Sequence, residues 1–220
     1  MIDFSAARLN MVESQVRVNA VTDSRVIDAL SVTARERFVP SSRQGVAYMD
    51  EDIRIDDGDT PRFLMEPRVF GRLLQAAEIA PDDLVLDLGC GTGYSSAILS
   101  RLAGTVVALE ADEVLAARAS ELLSQQNADN VAVVTGPLNE GWVAEAPYNV
   151  IFVNGMVSSV PDSWLSQLAE GGRLVVVTGD HISGKAQIYL RSGESCSGRD
   201  LFDAHIRFLP GFEPVKTFVF

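Results

Sequence analysis

Histidine and cysteine are scarce, two of each in 220 residues, and their scarcity removes the simplest metal chemistry. Neither His181 nor His205 has a second His, Cys or carboxylate at a metal-ligand spacing, so no metal is expected and both are read as structural or solvent-facing. Cys90 and Cys196 lie far apart, and a disulfide at Cys90 would distort the glycine-rich turn that contains it. Both are expected as reduced thiols. Long apolar runs are missing too: stretches such as Arg173 to Thr178 are broken by charge or glycine well before the roughly 20 residues that cross a bilayer. The N-terminus, Met1-Ile2-Asp3-Phe4-Ser5-Ala6-Ala7-Arg8, lacks the basic start and apolar run of a secretory signal. A cytoplasmic protein without a membrane span is expected. Positive charge is in deficit, with a formal net charge of -12, which argues against a nucleic-acid partner, since that affinity depends on clustered Lys and Arg. A protein, peptide or small-molecule partner is favoured, and no segment dictates an oligomeric state.

The length suits one substantial core. The first forty residues read as helical: Phe4, Ala7, Met11, Val12, Val16 and then Val26, Ile27 and Leu30 recur at steps of three and four, with a cap at Thr22-Asp23-Ser24. Ser41 to Pro67, rich in Asp, Gly and Pro, reads as a loop of the kind that carries function. From Glu66 onward, short apolar strands alternate with helices, the pattern of a parallel sheet covered on both faces. Strands are expected at Leu84–Leu88, Thr105–Leu109, Val131–Val134, Val150–Val153, Arg173–Thr178, Gln187–Leu190 and Ile206–Phe208, with a polar turn at Ser192–Arg199. Helices are expected at Pro67–Ala77, Tyr94–Leu102, Asp112–Gln126 and Ser163–Leu168. The fold expected is α/β, a Rossmann-like doubly wound sheet, with residues 1–65 forming an N-terminal helical and loop region and 66–220 the ligand-binding core of one compact domain.

Chemistry concentrates at Asp87-Leu88-Gly89-Cys90-Gly91-Thr92-Gly93, which follows a buried strand and opens a helix. Such a turn presents free backbone N–H groups and the positive end of a helix dipole, and its glycines let a ligand approach the backbone. A dinucleotide site would read Gly-x-Gly-x-x-Gly, but position 94 is Tyr. Asp87 would repel a pyrophosphate, whereas it suits the amino group and sulfonium of S-adenosylmethionine (SAM). Glu110 closes the next strand, seventeen positions after Gly93, where a carboxylate can accept from both ribose hydroxyls. Cys90 and Thr92 shape the turn. Trp142 and Trp164 are read as packing residues, the acidic residues Asp50, Glu51, Asp52, Asp56 and Asp57 as a solvated loop, and Lys216 to Phe220 as an added strand or partner contact.

The chain resembles the protein-L-isoaspartate O-methyltransferases along nearly its whole length. The resemblance rests on Met11-Val12-Glu13-Ser14-Gln15-Val16-Arg17, Val21 to Val26, Arg37-Phe38-Val39-Pro40, Ala47-Tyr48-Met49-Asp50, Gly141-Trp142 with Ala146-Pro147-Tyr148, and Leu168-Ala169-Glu170-Gly171-Gly172-Arg173-Leu174-Val175. It implies a seven-stranded, mainly parallel sheet, SAM as cofactor, and methyl transfer to the α-carboxylate of isoaspartyl residues in damaged protein. By this resemblance Gly89, Gly91, Gly93, Glu110, Ala111, Gly136, Pro137 and Leu138 join Asp87, Cys90 and Thr92 around the cofactor. The family's loop Gly-Gln-Thr-Ile-Ser-Gln-Pro, with a serine near the methyl group, corresponds to Gly58 to Pro67. Counting from Gly58 puts Arg62 at the serine position, counting back from Pro67 puts Met65 there, and Thr60 is the loop's only hydroxyl. Gly136-Pro137-Leu138 stands where the family has Gly-Asp-Gly with an adenine-contacting aspartate, Asn149 replaces an aspartate, and Asn154-Gly155-Met156 replaces a small-residue stretch. Two alternatives follow from these departures: a methyltransferase with a different acceptor, its pocket formed by Arg62, Phe63 and Met65, or a SAM-binding pseudoenzyme.

Overall fold

The computed structural model describes residues 2–58 and 60–214; the stretch Lys216 to Phe220 lies outside them. Helix α1 (Phe4–Met11) starts where the Asp3 carboxylate accepts from the Ala6 N–H, and it runs on through a wider turn at Val12–Val16 and a tight one at Arg17–Asn19. Helix α2 (Ser24–Val32) is capped by Asp23, which accepts from Arg25 N–H. A tight turn at Arg35–Phe38 and another at Ser41–Val46 lead into a two-stranded antiparallel ribbon, β1 (Ile53–Arg54) and β2 (Phe63–Leu64). The segment read as a loop therefore carries short elements of its own.

The main sheet contains β3 (Leu84–Leu88), β4 (Thr105–Glu110), β5 (Val131–Thr135), β6 (Tyr148–Val157), β7 (Leu168–Gly179), β8 (Gly184–Ser192) and β9 (Ser195–Asp203). Its order is β5-β4-β3-β6-β7-β8-β9, parallel from β5 to β7 and antiparallel for the last two pairings. Helices α3 (Pro67–Ala76), α4 (Tyr94–Leu99), α5 (Glu113–Gln125) and α6 (Asp162–Ser166) connect and cover the strands. Pro67 opens α3, where its missing N–H costs least. One continuous apolar cluster joins Met11, Val16 and Leu30 of the N-terminal layer to Phe70 of α3 and to Val85, Phe152 and Val175 of the sheet. Ring contacts extend this join: Phe70 packs on both Tyr94 and Phe152, and Phe38 packs edge-on to Tyr94. Among the described residues no helix is long and apolar enough to cross a membrane.

Two sequence expectations are corrected near the C-terminus. Ser195–Asp203 is strand β9 rather than a polar turn, and only Gly193-Glu194 turns the chain. Its polarity misled because β9 is the sheet's edge, with mostly exposed side chains and pairing carried by the backbone. Ile206–Phe208, expected as a strand, makes a single bridge from Phe208 to Met156. Helix α6 also ends earlier than expected, at Ser166, and Leu168 already belongs to β7.

Candidate functional site

The sheet order changes direction at β3, whose neighbours are β4 and β6, and ligands of doubly wound sheets bind beyond the carboxyl ends of the strands at such a point. There the chain turns through Gly89, Gly91 and Gly93, at φ of +76°, +57° and +90°. L side chains adopt these angles rarely, so glycine is required. The turn is pinned from three sides. The N–H groups of Gly89 and Cys90 donate to the Leu109 carbonyl at 2.9 and 3.1 Å. The Thr92 hydroxyl donates to the Phe38 carbonyl at 2.6 Å, tying the turn to the N-terminal layer. Gly93 packs on Ala119 and Leu123 of α5, within 3.2 Å of where a Cβ would stand. Cys90 is buried, and burial pushes its thiol well above the ordinary range, which keeps it protonated and inert.

Asp87 is fully buried beneath the turn. One carboxylate oxygen accepts from the hydroxyls of Ser95 and Ser96, the other from the Asn154 amide. Burial raises its pKa to about 6 against the pull of those three donors. Its carboxylate thus braces the turn from within and does not line the neighbouring cleft.

Glu110, also fully buried, ends β4 with all of its acceptor capacity in use. Oε1 accepts from Ala111 N–H at 2.8 Å and Asp112 N–H at 3.2 Å; Oε2 accepts from Gly91 N–H and from Arg62 Nη2, each at 2.7 Å. Arg62 Nη2 also donates to the Gly89 carbonyl at 3.0 Å. Beside Glu110 a cleft of about 480 Å³ is lined by Thr60, Arg62, Ala111, Asp112, Leu138 and Asn139, with Pro210 to Phe212 on the far side. That volume lies within the range of roughly 300–1,000 Å³ usual for small-molecule sites. Leu138 is buried, its carbonyl held by the Trp164 indole N–H at 2.7 Å, while Gly136 rests against the Trp142 ring. Pro137 is exposed and lies outside the cleft lining.

In the loop that leads to Pro67, Asp50, Asp52 and Asp56 cap backbone N–H groups while Glu51 and Asp57 stay exposed, so the acidic run is solvated only in part. Asp56 accepts from Arg62 N–H at 2.8 Å, and Asp50 from Arg68 N–H at 3.1 Å. Asp52 accepts from Glu66 N–H at 2.8 Å and from Arg207 N–H at 2.6 Å, so it binds the loop to the C-terminal segment. Burial pushes the Asp52 carboxyl upward, opposed by those two N–H groups. Arg35 lies wholly inside the protein and donates to the carbonyls of Ala47 and Met65, fixing the loop's far end. Thr60 is exposed at the cleft mouth, and Met65 is buried. Arg62, Phe63 and Met65 do come together, around a second cleft shared with Asp52, Asn154, Gly155 and Ile206 to Leu209. This cleft is closed down to about 10 Å³, roughly one water.

Sequence reasoning missed Ile55, Asn139 and Leu209. Leu209 covers two glycines at once, 2.9 Å from where a Gly89 Cβ would stand and 2.7 Å from that of Gly155, and Ile55 lies 2.5 Å from that of Gly91. Only the absence of a side chain at Gly89, Gly91 and Gly155 hinted at a close neighbour. Asn149, in place of an aspartate, accepts from Leu84 N–H at 2.8 Å and serves the sheet.

A doubly wound sheet with this turn at the switch point and a buried carboxylate ending the next strand defines a SAM-dependent methyltransferase. The residues fit that cofactor in kind: a carboxylate, Glu110, borders the cleft, Leu138 and Asn139 lie beside it, and the glycine turn presents its backbone. A family profile described as Protein-L-isoaspartate(D-aspartate) O-methyltransferase (PCMT) matches residues 7–213. A protein-L-isoaspartate O-methyltransferase of Koribacter versatilis (strain Ellin345) is 39% identical over 176 residues, 80% of this chain and 78% of its own. That of Roseiflexus castenholzii (strain DSM 13941 / HLO8) is 36% identical over 212 residues, 95% and 93% of the two chains. A solved protein-L-isoaspartate O-methyltransferase superposes with a TM-score of 0.83 at 25% identity, over 94% of this chain and 67% of that one. The chain belongs to the protein-L-isoaspartate O-methyltransferase family.

Proposed function

We propose that this protein methylates the α-carboxyl group of isoaspartyl residues in proteins and peptides, with SAM as methyl donor, in the cytoplasm and without a nucleic-acid partner. The observation that carries the reading is the buried Glu110 facing the cleft at the switch point, in a chain of this family. When bound, SAM supplies a methyl group on a positively charged sulfur. Glu110 would accept a ribose hydroxyl in the place the Arg62 guanidinium now takes, Ala111 and Leu138 would flank the adenosine, and the Gly89–Gly93 backbone would receive the methionine portion. Gly136 lets Trp142 support the adenine wall from behind. Asp87, Cys90 and Thr92 hold the turn's shape, and Pro137 fixes the backbone that leads to Leu138.

The acceptor needs no general base, because a carboxylate is already a nucleophile at neutral pH. Its oxygen forms the bond to the methyl carbon while the carbon–sulfur bond breaks and its electron pair stays on sulfur. Placement and exclusion of water supply most of the rate. Arg62 is the group that clamps the acceptor carboxylate, Thr60 offers a hydroxyl at the entrance, and Met65 with Phe63 walls off solvent. Regions 1–65 and 66–220 then act as one unit, the first carrying the acceptor loop and the second the cofactor turn. The alternatives of a different acceptor or a pseudoenzyme rest on the missing loop serine and on Pro137 in place of an adenine-contacting aspartate, whereas family membership favours the isoaspartyl reading.

The test is methyl transfer from labelled SAM to an isoaspartyl peptide, with the same peptide carrying ordinary aspartate as control. Base-labile methyl ester on the first peptide alone is the expected result. Binding of S-adenosylhomocysteine (SAH), the demethylated product of SAM, without esterification of the isoaspartyl peptide would assign the site to another acceptor.

A further inference from the structure

We infer that Arg62 occupies two places in turn: on Glu110 and the Gly89 carbonyl while the cofactor is absent, and on the acceptor carboxylate once the cofactor is bound, so that the acceptor can bind only second. This inference rests on the cofactor site proposed above and adds an order of binding to it.

Arg62 is only 6% exposed, and its guanidinium holds the carboxylate that the cofactor site proposed above assigns to the ribose. It uses one oxygen of the carboxylate assigned to the ribose, at 2.7 Å, and the carbonyl of the first glycine of the turn, at 3.0 Å. It also comes within 3.3 Å of the space a Gly89 Cβ would take. Leu209 and Ile55 lie still closer over Gly89 and Gly91. A ligand lying against this backbone and reaching Glu110 cannot share the volume with these side chains. Arg62 must therefore withdraw first.

The local construction makes that withdrawal easy and gives the side chain somewhere to go. Arg62 follows the exposed Thr60 and Pro61, and its backbone stays tied, its N–H to Asp56 at 2.8 Å and its carbonyl to Ile55 N–H at 2.9 Å, so the withdrawal is a movement of the side chain alone. Glu110 does not depend on it for solvation, since the N–H groups of Gly91, Ala111 and Asp112 continue to donate. Arg62 also lines the second cleft, which is closed while the guanidinium is held on Glu110 and Leu209 covers Gly89 and Gly155. The groups facing that cleft are the Asp52 carboxyl, already engaged by two N–H groups, and Arg207, whose guanidinium stacks on Phe63. A freed Arg62 is thus a cation beside this cleft, the chemistry that receives a carboxylate.

Calorimetry with SAH on the unmodified protein, Arg62→Ala and Arg62→Met separates the possibilities. If the withdrawn form makes up about a tenth of the free protein, both variants bind SAH about tenfold more tightly, because apparent affinity scales with the competent fraction. The unmodified protein should bind an isoaspartyl peptide in the presence of SAH and fail to do so without it, and both variants should lose peptide affinity in the presence of SAH. In 15N-arginine-labelled unmodified protein, the guanidinium signal that is absent from Arg62→Lys should shift on addition of SAH, a readout that needs no loss of side chain. Equal or weaker SAH binding by the variants, peptide binding indifferent to SAH, or an unmoved Arg62 signal would overturn the inference while leaving the cofactor site intact. Failure of all the proteins to bind SAH would overturn the site and the inference with it.

Discussion

Two carboxylates, the fully buried Glu110 and the half-buried Asp52, organise the two halves of the proposed site, and they do so differently. Glu110 sits at the end of a central strand, and three of its four hydrogen bonds come from N–H groups within the glycine turn and the first residues after β4. Asp52 sits in an irregular loop and accepts from Glu66 and from Arg207, the latter 155 positions away. The cofactor half is held mainly by backbone N–H groups on a sheet, with Thr92 and Asn154 as its long-range ties, whereas the loop half proposed to receive the acceptor is held by single side chains that bridge distant segments. A sheet end with satisfied N–H groups keeps its shape through a catalytic cycle; a loop tied at a few points can rearrange around it.

Removing Glu110 should have the largest effect and fall on fold and ligand together. Glu110→Ala leaves three N–H groups and the Arg62 guanidinium without their acceptor, which should cost about 3 kcal/mol of folding stability. SAH binding should weaken by about 1 to 3 kcal/mol through lost charge-assisted hydrogen bonds. Denaturant unfolding and calorimetry measure the two separately. Unchanged stability with lost binding would mean that the turn holds itself and that Glu110 serves the ligand alone.

Asp52→Ala is the counterpart on the acceptor side. Two N–H groups, one part-buried and one exposed, lose their acceptor, at a cost of about 1 kcal/mol, and the loop loses its tie to the segment around Arg207. The KM for an isoaspartyl peptide should rise severalfold while SAH affinity stays within about 0.5 kcal/mol, as expected of groups with no shared partner. Should SAH affinity fall as far as peptide affinity, the halves would be one cooperative structure and the contrast drawn between them would fail.

The same contrast explains what could be read from the chain. The glycine turn, Glu110 and the strands from Leu84 to Thr178 were legible because their signals are local: φ-demanding glycines, apolar runs and an acidic residue at a strand end. The partners of Asp52 were not, since an acidic run looks the same whether it faces water or caps N–H groups from a remote segment. Asp87 was legible as a carboxylate at the turn, but its inward direction depends on Ser95, Ser96 and Asn154, the last 67 positions away. The Arg62 contact with Glu110 spans 48 positions between a loop without periodicity and a strand end. Edge strand β9 escaped for a related reason, its pairing lying in the backbone while its side chains are mostly exposed.

The smallest effect concerns the adenine end, where sequence comparison and geometry point to different residues. If Pro137 stood in for an adenine-contacting aspartate, Pro137→Asp would tighten SAM binding. Pro137 is exposed and outside the cleft, however, and Asn139, two residues on, is in its lining. An asparagine amide carries both an acceptor and donors, which suits the exocyclic amino group and ring nitrogen of adenine. Asn139→Ala should therefore weaken SAH binding by about 1 kcal/mol, the usual net value of one neutral hydrogen bond, while Pro137→Asp changes it by less than about 0.5 kcal/mol. Side-by-side calorimetry of the two variants decides the matter. A marked gain in affinity from Pro137→Asp with no loss from Asn139→Ala would place adenine against residue 137 and require the cleft to reshape when the cofactor binds, extending to the cofactor half the adaptability that this comparison reserves for the acceptor loop.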